Sequence, residues 1–146
     1  MDATKQFKIG MLWAILLAVM TVFAGCAGTG MDSGVKVTLS GDQEVPPAKT
    51  AGSGSGTITV GADMSISGSV TTTGVIALVA HIHVGSAGKN GPVIIPLTKT
   101  ADNTWSVPAG AKLTDAQYAS YKAGDLYVNV HSAAYKGGEV RGQIKP

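Results

Sequence analysis

Three histidines are the residues of this chain best suited to chemistry, and two of them stand one residue apart. In Ala80-His81-Ile82-His83-Val84 the pair lies in a strand-like apolar run, where side chains at i and i+2 share a face about 6.6 Å apart along the chain. Two imidazoles placed that way can converge on one metal ion. The third, His131, ends an alternating run from Asp125 to Ser132 that puts Tyr127, Asn129 and His131 on one face and Leu126, Val128 and Val130 on the other. Neutral imidazole suits copper and zinc, and three nitrogens leave a coordination position open. If the two runs lie side by side, His81, His83 and His131 make a three-nitrogen site, with Tyr127 and Asn129 placed to support the imidazoles by hydrogen bonds. The alternative is a structural role, in which Tyr127 and Asn129 merely satisfy buried histidines.

Other chemistries are excluded. Gly85, Gly88 and Gly91 recur every third residue after the histidine pair, but this loop leads to the strand-like Pro92-Val93-Ile94-Ile95. A phosphate-cradling loop opens a helix instead. The serines lie in turns with no cue pairing them to a histidine, and no paired carboxylates of glycosidase type occur, so no catalytic residues emerge. Glu139 and Arg141 fall on one face of a late strand, as a charged pair that orients neighbouring loops or, more sharply, as an Arg guiding an anion to the site. Asp42 and Glu44 are expected to face solvent.

The elements that must position these groups read as strands. Val35 to Ser40 alternates, and Gln43-Glu44-Val45-Pro46-Pro47 is an edge or loop segment, since adjacent prolines do not fit a central strand. Gly52 to Val60 and Met64 to Val70 form a hairpin about Gly61-Ala62-Asp63. Val75 to Val84 is expected as a strand buried on both faces, followed by strands at 92–95 and 104–107. Leu113 to Ala123 has helical spacing, an N-cap at Thr114-Asp115 and a stop at Gly124. Strands at 125–132 and 139–144 close the chain about Lys136-Gly137-Gly138. Eight strands and one short helix predict an all-β antiparallel sandwich with Greek-key connections.

The N-terminus is discounted from this domain. Lys5 and Lys8 precede fifteen uncharged, largely apolar residues, Ile9 to Phe23, fewer than the ~20 a spanning helix needs. Phe23-Ala24-Gly25-Cys26 resembles a bacterial lipoprotein lipobox, departing from it at Phe23, where an aliphatic residue is usual. The resemblance implies a signal peptide over 1–25, lipid on Cys26, a glycine-rich tether over 26–34 and a domain over 35–146. It also implies a place in the bacterial cell envelope, on the periplasmic side of the outer membrane or the cell surface, with the membrane as partner through the lipid. Cys26 is the only cysteine, so the domain contains no disulfide. Without residues 1–25, nine basic and eight acidic side chains remain. With no basic stripe and no aromatic platform, the composition excludes a nucleic-acid partner.

Three separated motifs in order carry a family resemblance: His81-Ile82-His83-Val84-Gly85 with Gly91-Pro92-Val93, Tyr127-Val128-Asn129-Val130-His131, and Gly138-Glu139-Val140-Arg141-Gly142-Gln143-Ile144. They resemble the CHRD domain, a module named from chordin, over nearly all of 35–144. The resemblance implies an immunoglobulin-like β-sandwich without a defined biochemical role. The site is also similar in order to the copper site of Cu/Zn superoxide dismutases, which share the sandwich architecture and carry a strand His-x-His pair and a late histidine. The bridging histidine, the zinc ligands and the disulfide of those enzymes have no counterpart here. That similarity therefore implies a mononuclear copper site, with zinc second, rather than dismutase activity, with Arg141 among the supporting residues. A cell-surface interaction module without metal is the reading from a different class, and a superoxide-consuming enzyme is the third.

Overall fold

A computed structural model describes residues 34–146; the expected signal peptide, Cys26 and most of the tether lie outside the described residues. Nine strands pair antiparallel: β1 (Val35–Ser40), β2 (Ser53–Val60), β3 (Ile66–Thr73), β4 (Ala77–Val84), β5 (Val93–Pro96), β6 (Thr98–Ala101), β7 (Thr104–Ser106), β8 (Leu126–Ser132) and β9 (Val140–Ile144). One helix, α1 (Asp115–Lys122), stands before β8. The ladder runs β5-β4-β8-β9-β1-β2-β3-β7-β6, so β4–β8, β9–β1 and β3–β7 are neighbours through crossovers. Its first and last strands are separated in sequence by Leu97 alone. Consecutive Cα atoms are about 3.8 Å apart, so the sheet must curl until its two ends meet at that residue. Leu97 is buried there and donates its N–H to the Ala80 carbonyl at 2.9 Å.

The curl gives every strand an inner and an outer face, and the sequence alternates accordingly. Val37 and Leu39, Ile58 and Val60, Ala80 and Ile82, Leu126, Val128 and Val130, and Val140 and Ile144 all point inward and are buried. Trp105 and Leu113 join the same core. At roughly 1.5–3 kcal/mol per fully buried large apolar side chain, this interior dominates the favourable side of folding. The linker-like Gly52-Ser53-Gly54-Ser55-Gly56 obeys the same rule. Gly56 is in register with Val37 and Val70 on the inner face, while Ser55 points out. A Cβ on Gly56 would lie 2.0 Å from the Ser69 carbonyl oxygen, so only glycine lets the strands approach this closely.

The all-β architecture and the helix agree with expectation. Thr114 and Gln117 form a reciprocal capping box, with Thr114 Oγ1 accepting from the Gln117 N–H at 3.3 Å and Gln117 Oε1 accepting from the Thr114 N–H at 2.9 Å. Two expectations fail. β4 is not buried on both faces: Leu78 and Val79, near its start, are 57% and 45% exposed, and Ile76 just before it is 86% exposed. The ninth strand, β6, is fully exposed and polar, so it carries no alternation to read and is defined by its pairing with β7.

Gly56→Ala is expected to lower the unfolding free energy by about 1–3 kcal/mol through overpacking, whereas Ser55→Ala on the outer face changes it by less than about 0.5 kcal/mol. Urea denaturation of both variants checks this; equal effects would show that the inner face tolerates a side chain at position 56.

Candidate metal centre

β8 lies between β4 and β9, and their register builds the site on the outer face, away from the core. His81 stands opposite Asn129, His83 opposite Tyr127, and Val79 opposite His131. On the other side Asn129 is opposite Arg141 and Tyr127 opposite Gln143. The histidines, Tyr127, Asn129, Arg141 and Gln143 therefore share one face, because residues directly opposite in a ladder project the same way. A register shift between Ile82 and His83 marks the β4–β5 pairing beside the site, a common place for a bulge.

The three imidazoles meet. One candidate ligand nitrogen from each of His81, His83 and His131 lies within 4.8 Å of the other two. Nitrogens bound at about 2.0–2.1 Å to one ion stand at most about 4.2 Å apart, so shifts of under about an ångström bring them to a common centre. Hydrogen bonds fix which nitrogens face it. His83 Nδ1–H donates to the Gly91 carbonyl at 2.9 Å and His131 Nδ1–H to the Lys136 carbonyl at 2.9 Å. Both Nε2 atoms are therefore left with free lone pairs. His81 Nδ1 is 3.1 Å from His131 Nε2 and supplies the proton of that hydrogen bond. An ion displacing this proton would have His81 Nδ1, His131 Nε2 and His83 Nε2 as its available nitrogen donors. Burial, followed by the neighbouring histidines, holds the His81 pKa below its ordinary 6.5. Burial does the same to His83, against the opposing influence of the Gly91 carbonyl and the nearby Asn129 side chain. Both imidazoles thus stay neutral, the form a metal needs.

Arg141 and Tyr127 lock this arrangement. The Arg141 guanidinium carbon lies 3.4 Å from the Tyr127 ring centroid, and Tyr127 stacks on His83 with centroids 4.7 Å apart. Arg141 Nη2 donates to the carbonyls of Ser86 at 3.1 Å and Lys89 at 2.9 Å. Gln143 Nε2 donates to those of Gly85 at 2.7 Å and Gly124 at 3.0 Å. The Gly91 N–H donates to Tyr127 Oη at 3.2 Å. The glycine-spaced loop is thus pinned from several sides, and its Gly91 carbonyl in turn sets the tautomer of His83. Glu139 and Arg141 each orient a loop, as expected, but different ones: Glu139 Oε1 accepts from Thr50 Oγ1 at 2.6 Å. Arg141 is 1% exposed, so it anchors the loop rather than meeting solutes in solvent.

Glu44 corrects an expectation. It does not face solvent beside Asp42 but is 4% exposed, tucked against Gly138. Gly138 has φ +134, and a Cβ there would lie 2.3 Å from Glu44 Oε1. Burial pushes the Glu44 pKa up to about 7, while Arg141, the Val45 N–H and Asn129 pull it back. The two prolines after it announce a loop without telling which side chain the loop folds inward. Only the paired glycines 137 and 138 hint that something approaches closely.

The fold and this cluster define an antiparallel β-domain, closed upon itself, that presents three convergent histidines on its outer face. The chain belongs to the CHRD domain family, whose profile matches residues 35–144. No match appears among curated proteins or among solved structures.

Glu44 makes a signed prediction. The folded state holds its proton more tightly than the unfolded chain, where the carboxyl titrates near 4.5. Its contribution is fully present below 4.5 and is lost as pH rises through 7, by up to about 3 kcal/mol. Glu44→Gln removes that loss, so the variant gains stability relative to the parent between pH 5 and pH 8. Urea unfolding at both pH values measures it, and a pH-independent difference contradicts the assignment.

Proposed function

We propose that this CHRD domain is an extracytoplasmic module that binds one copper ion through His81, His83 and His131 for metal handling or redox chemistry, tethered to a bacterial envelope by lipid on Cys26. The observation that carries the reading is the pair of outward hydrogen bonds, His83 to Gly91 and His131 to Lys136, which leave both Nε2 lone pairs free in a cluster whose three rings each offer a nitrogen within 4.8 Å of the others. A metal-ligating histidine characteristically donates its other N–H to a carbonyl or carboxylate, and that outer bond fixes tautomer and orientation. Three imidazoles without a thiolate favour copper, then zinc, over hard cations such as calcium. The protein's own contribution is positional. Arg141, Tyr127 and Gln143 hold the loop that holds His83, and burial keeps protons from competing. The copper itself would supply Lewis acidity or a one-electron couple.

Purified protein is expected to take up one copper per chain, measured by elemental analysis after gel filtration. His81→Ala and His131→Ala should each weaken binding by more than the roughly 10–100-fold typical of losing an outer hydrogen bond. Because His81 and His83 are held below their ordinary pKa, binding should persist at pH 6.5 and fall only as the pH drops further. Metal-free wild type under saturating copper sinks the proposal. For the anchor, Cys26→Ser is expected to abolish fatty-acid labelling in a bacterial host, and unchanged labelling removes the lipid from the account.

A further inference from the structure

Four buried side-chain polar atoms among the described residues have no hydrogen-bond partner, and three belong to one cluster: His83 Nε2, Asn129 Oδ1 and Glu44 Oε1. The owners are 7%, 3% and 4% exposed, so solvent does not supply what is missing. Leaving a buried polar group without a partner is unfavourable, and the concentration of three at one place calls for an explanation.

The orientation of Asn129 supplies it. Its Nδ2 donates to the Gly137 carbonyl at 3.4 Å. Turning the amide over would set two carbonyl oxygens against each other. Nδ2 also faces Glu44, whose acidity it increases, and the other end of the amide faces His83, whose basicity it increases. Asn129 Oδ1 and His83 Nε2 therefore confront one another as two lone-pair donors. The His83 imidazole already spends its proton on Gly91 at Nδ1. What satisfies both atoms together is a cation. Position agrees with this. Asn129 is directly opposite His81 and two residues from His131 on the same strand, so its side chain projects from the face that carries all three imidazoles.

We propose that Asn129 Oδ1 is a fourth donor to the ion held by His81, His83 and His131, with Glu44 as a positioning residue that holds the Asn129 amide nitrogen and keeps the oxygen turned inward. The assignment rests on the three-histidine reading and gives it a chemical preference. An amide oxygen is a hard donor, and a set of three nitrogens and one oxygen favours copper(II) or zinc(II) over copper(I), which prefers soft ligands. The buried Glu44 carboxyl group lies beside the amide nitrogen. Gly138 gives that carboxylate its place, because any side chain there would strike Glu44.

Copper(II) electron paramagnetic resonance on the full-length protein, together with competition titrations for copper(II) and copper(I), tests this with three variants. Asn129→Leu keeps the approximate volume and removes both polar ends. It should shift the copper hyperfine pattern away from a mixed nitrogen–oxygen set and weaken copper(II) about tenfold or more, with copper(I) affinity changed far less. Asn129→Asp restores an oxygen at the same place and should recover copper(II) affinity; it also covers the case in which the leucine variant does not fold. Glu44→Gln should move the spectrum in the direction of Asn129→Leu by a smaller amount. Wild-type spectra and affinities in both Asn129→Leu and Glu44→Gln overturn the fourth donor while leaving the three-histidine site standing. A copper(I) loss in Asn129→Leu equal to the copper(II) loss overturns it too, since that is the mark of a merely structural asparagine. A wild type that binds neither copper nor zinc overturns the three-histidine site, and this assignment with it.

Discussion

Everything at the candidate site depends on the two-residue period of β8, held between β4 and β9. Its even positions, Leu126, Val128 and Val130, close the core. Its odd positions, Tyr127, Asn129 and His131, must then point out together, into line with His83 and His81 on one side and with Gln143 and Arg141 on the other. A slip of one residue would turn every one of these groups over. The apolar core thus enforces the register, and the register assembles the polar face. Stability and site geometry are two readings of the same ladder.

On that face the polar groups are arranged in depth. Next to the histidines come the carbonyls of Gly91 and Lys136, which select ring nitrogens. Behind Gly91 stands the Arg141–Tyr127 stack, which fixes the loop that carries it. Arg141 is a residue for which lysine is a poor substitute, since a planar guanidinium can both stack on a ring and fork to two carbonyls. Glu44 and Glu139 tie the segment between β1 and β2 to the β8–β9 turn, one against Gly138 and the other through Thr50. Two of the four unsatisfied buried atoms among the described residues, His83 Nε2 and Asn129 Oδ1, lie where an ion would be bound.

Much of this is legible in the sequence, for definite reasons. Strand period alone puts His81 and His83 on one face, and His131 on one face with Tyr127 and Asn129, while the pairing that joins the two sets is a matter of register. The helix declares itself through Thr114, Asp115 and Gly124. What the sequence hides is whatever depends on a loop's path. Glu44 looks like any exposed acid after a strand, because nothing local records that the chain folds back over Gly138. The choice of Nδ1 or Nε2 on each ring depends on carbonyls eight and five residues away, whose directions no pattern encodes. β6 is invisible because all four of its residues are exposed, and an exposed strand leaves no hydrophobic trace. Arg141 reads as half of a charged pair with Glu139, and nothing local records that it is buried against the Tyr127 ring.

The junction at Leu97 has a meaning beyond shape. A sheet whose end strands are joined by one residue has its two short free edges next to each other in the chain. Each of those strands is four residues long, Pro92 and Pro96 frame one of them, and Lys99 lies in the other. Open backbone at a sheet edge is what lets chains zip together, and prolines, lysines and shortness all discourage it. Most β-domains must guard two distant borders. Here the borders are brought to a single seam, so a nine-stranded protein offers a neighbouring copy very few rungs on which to start an aggregate.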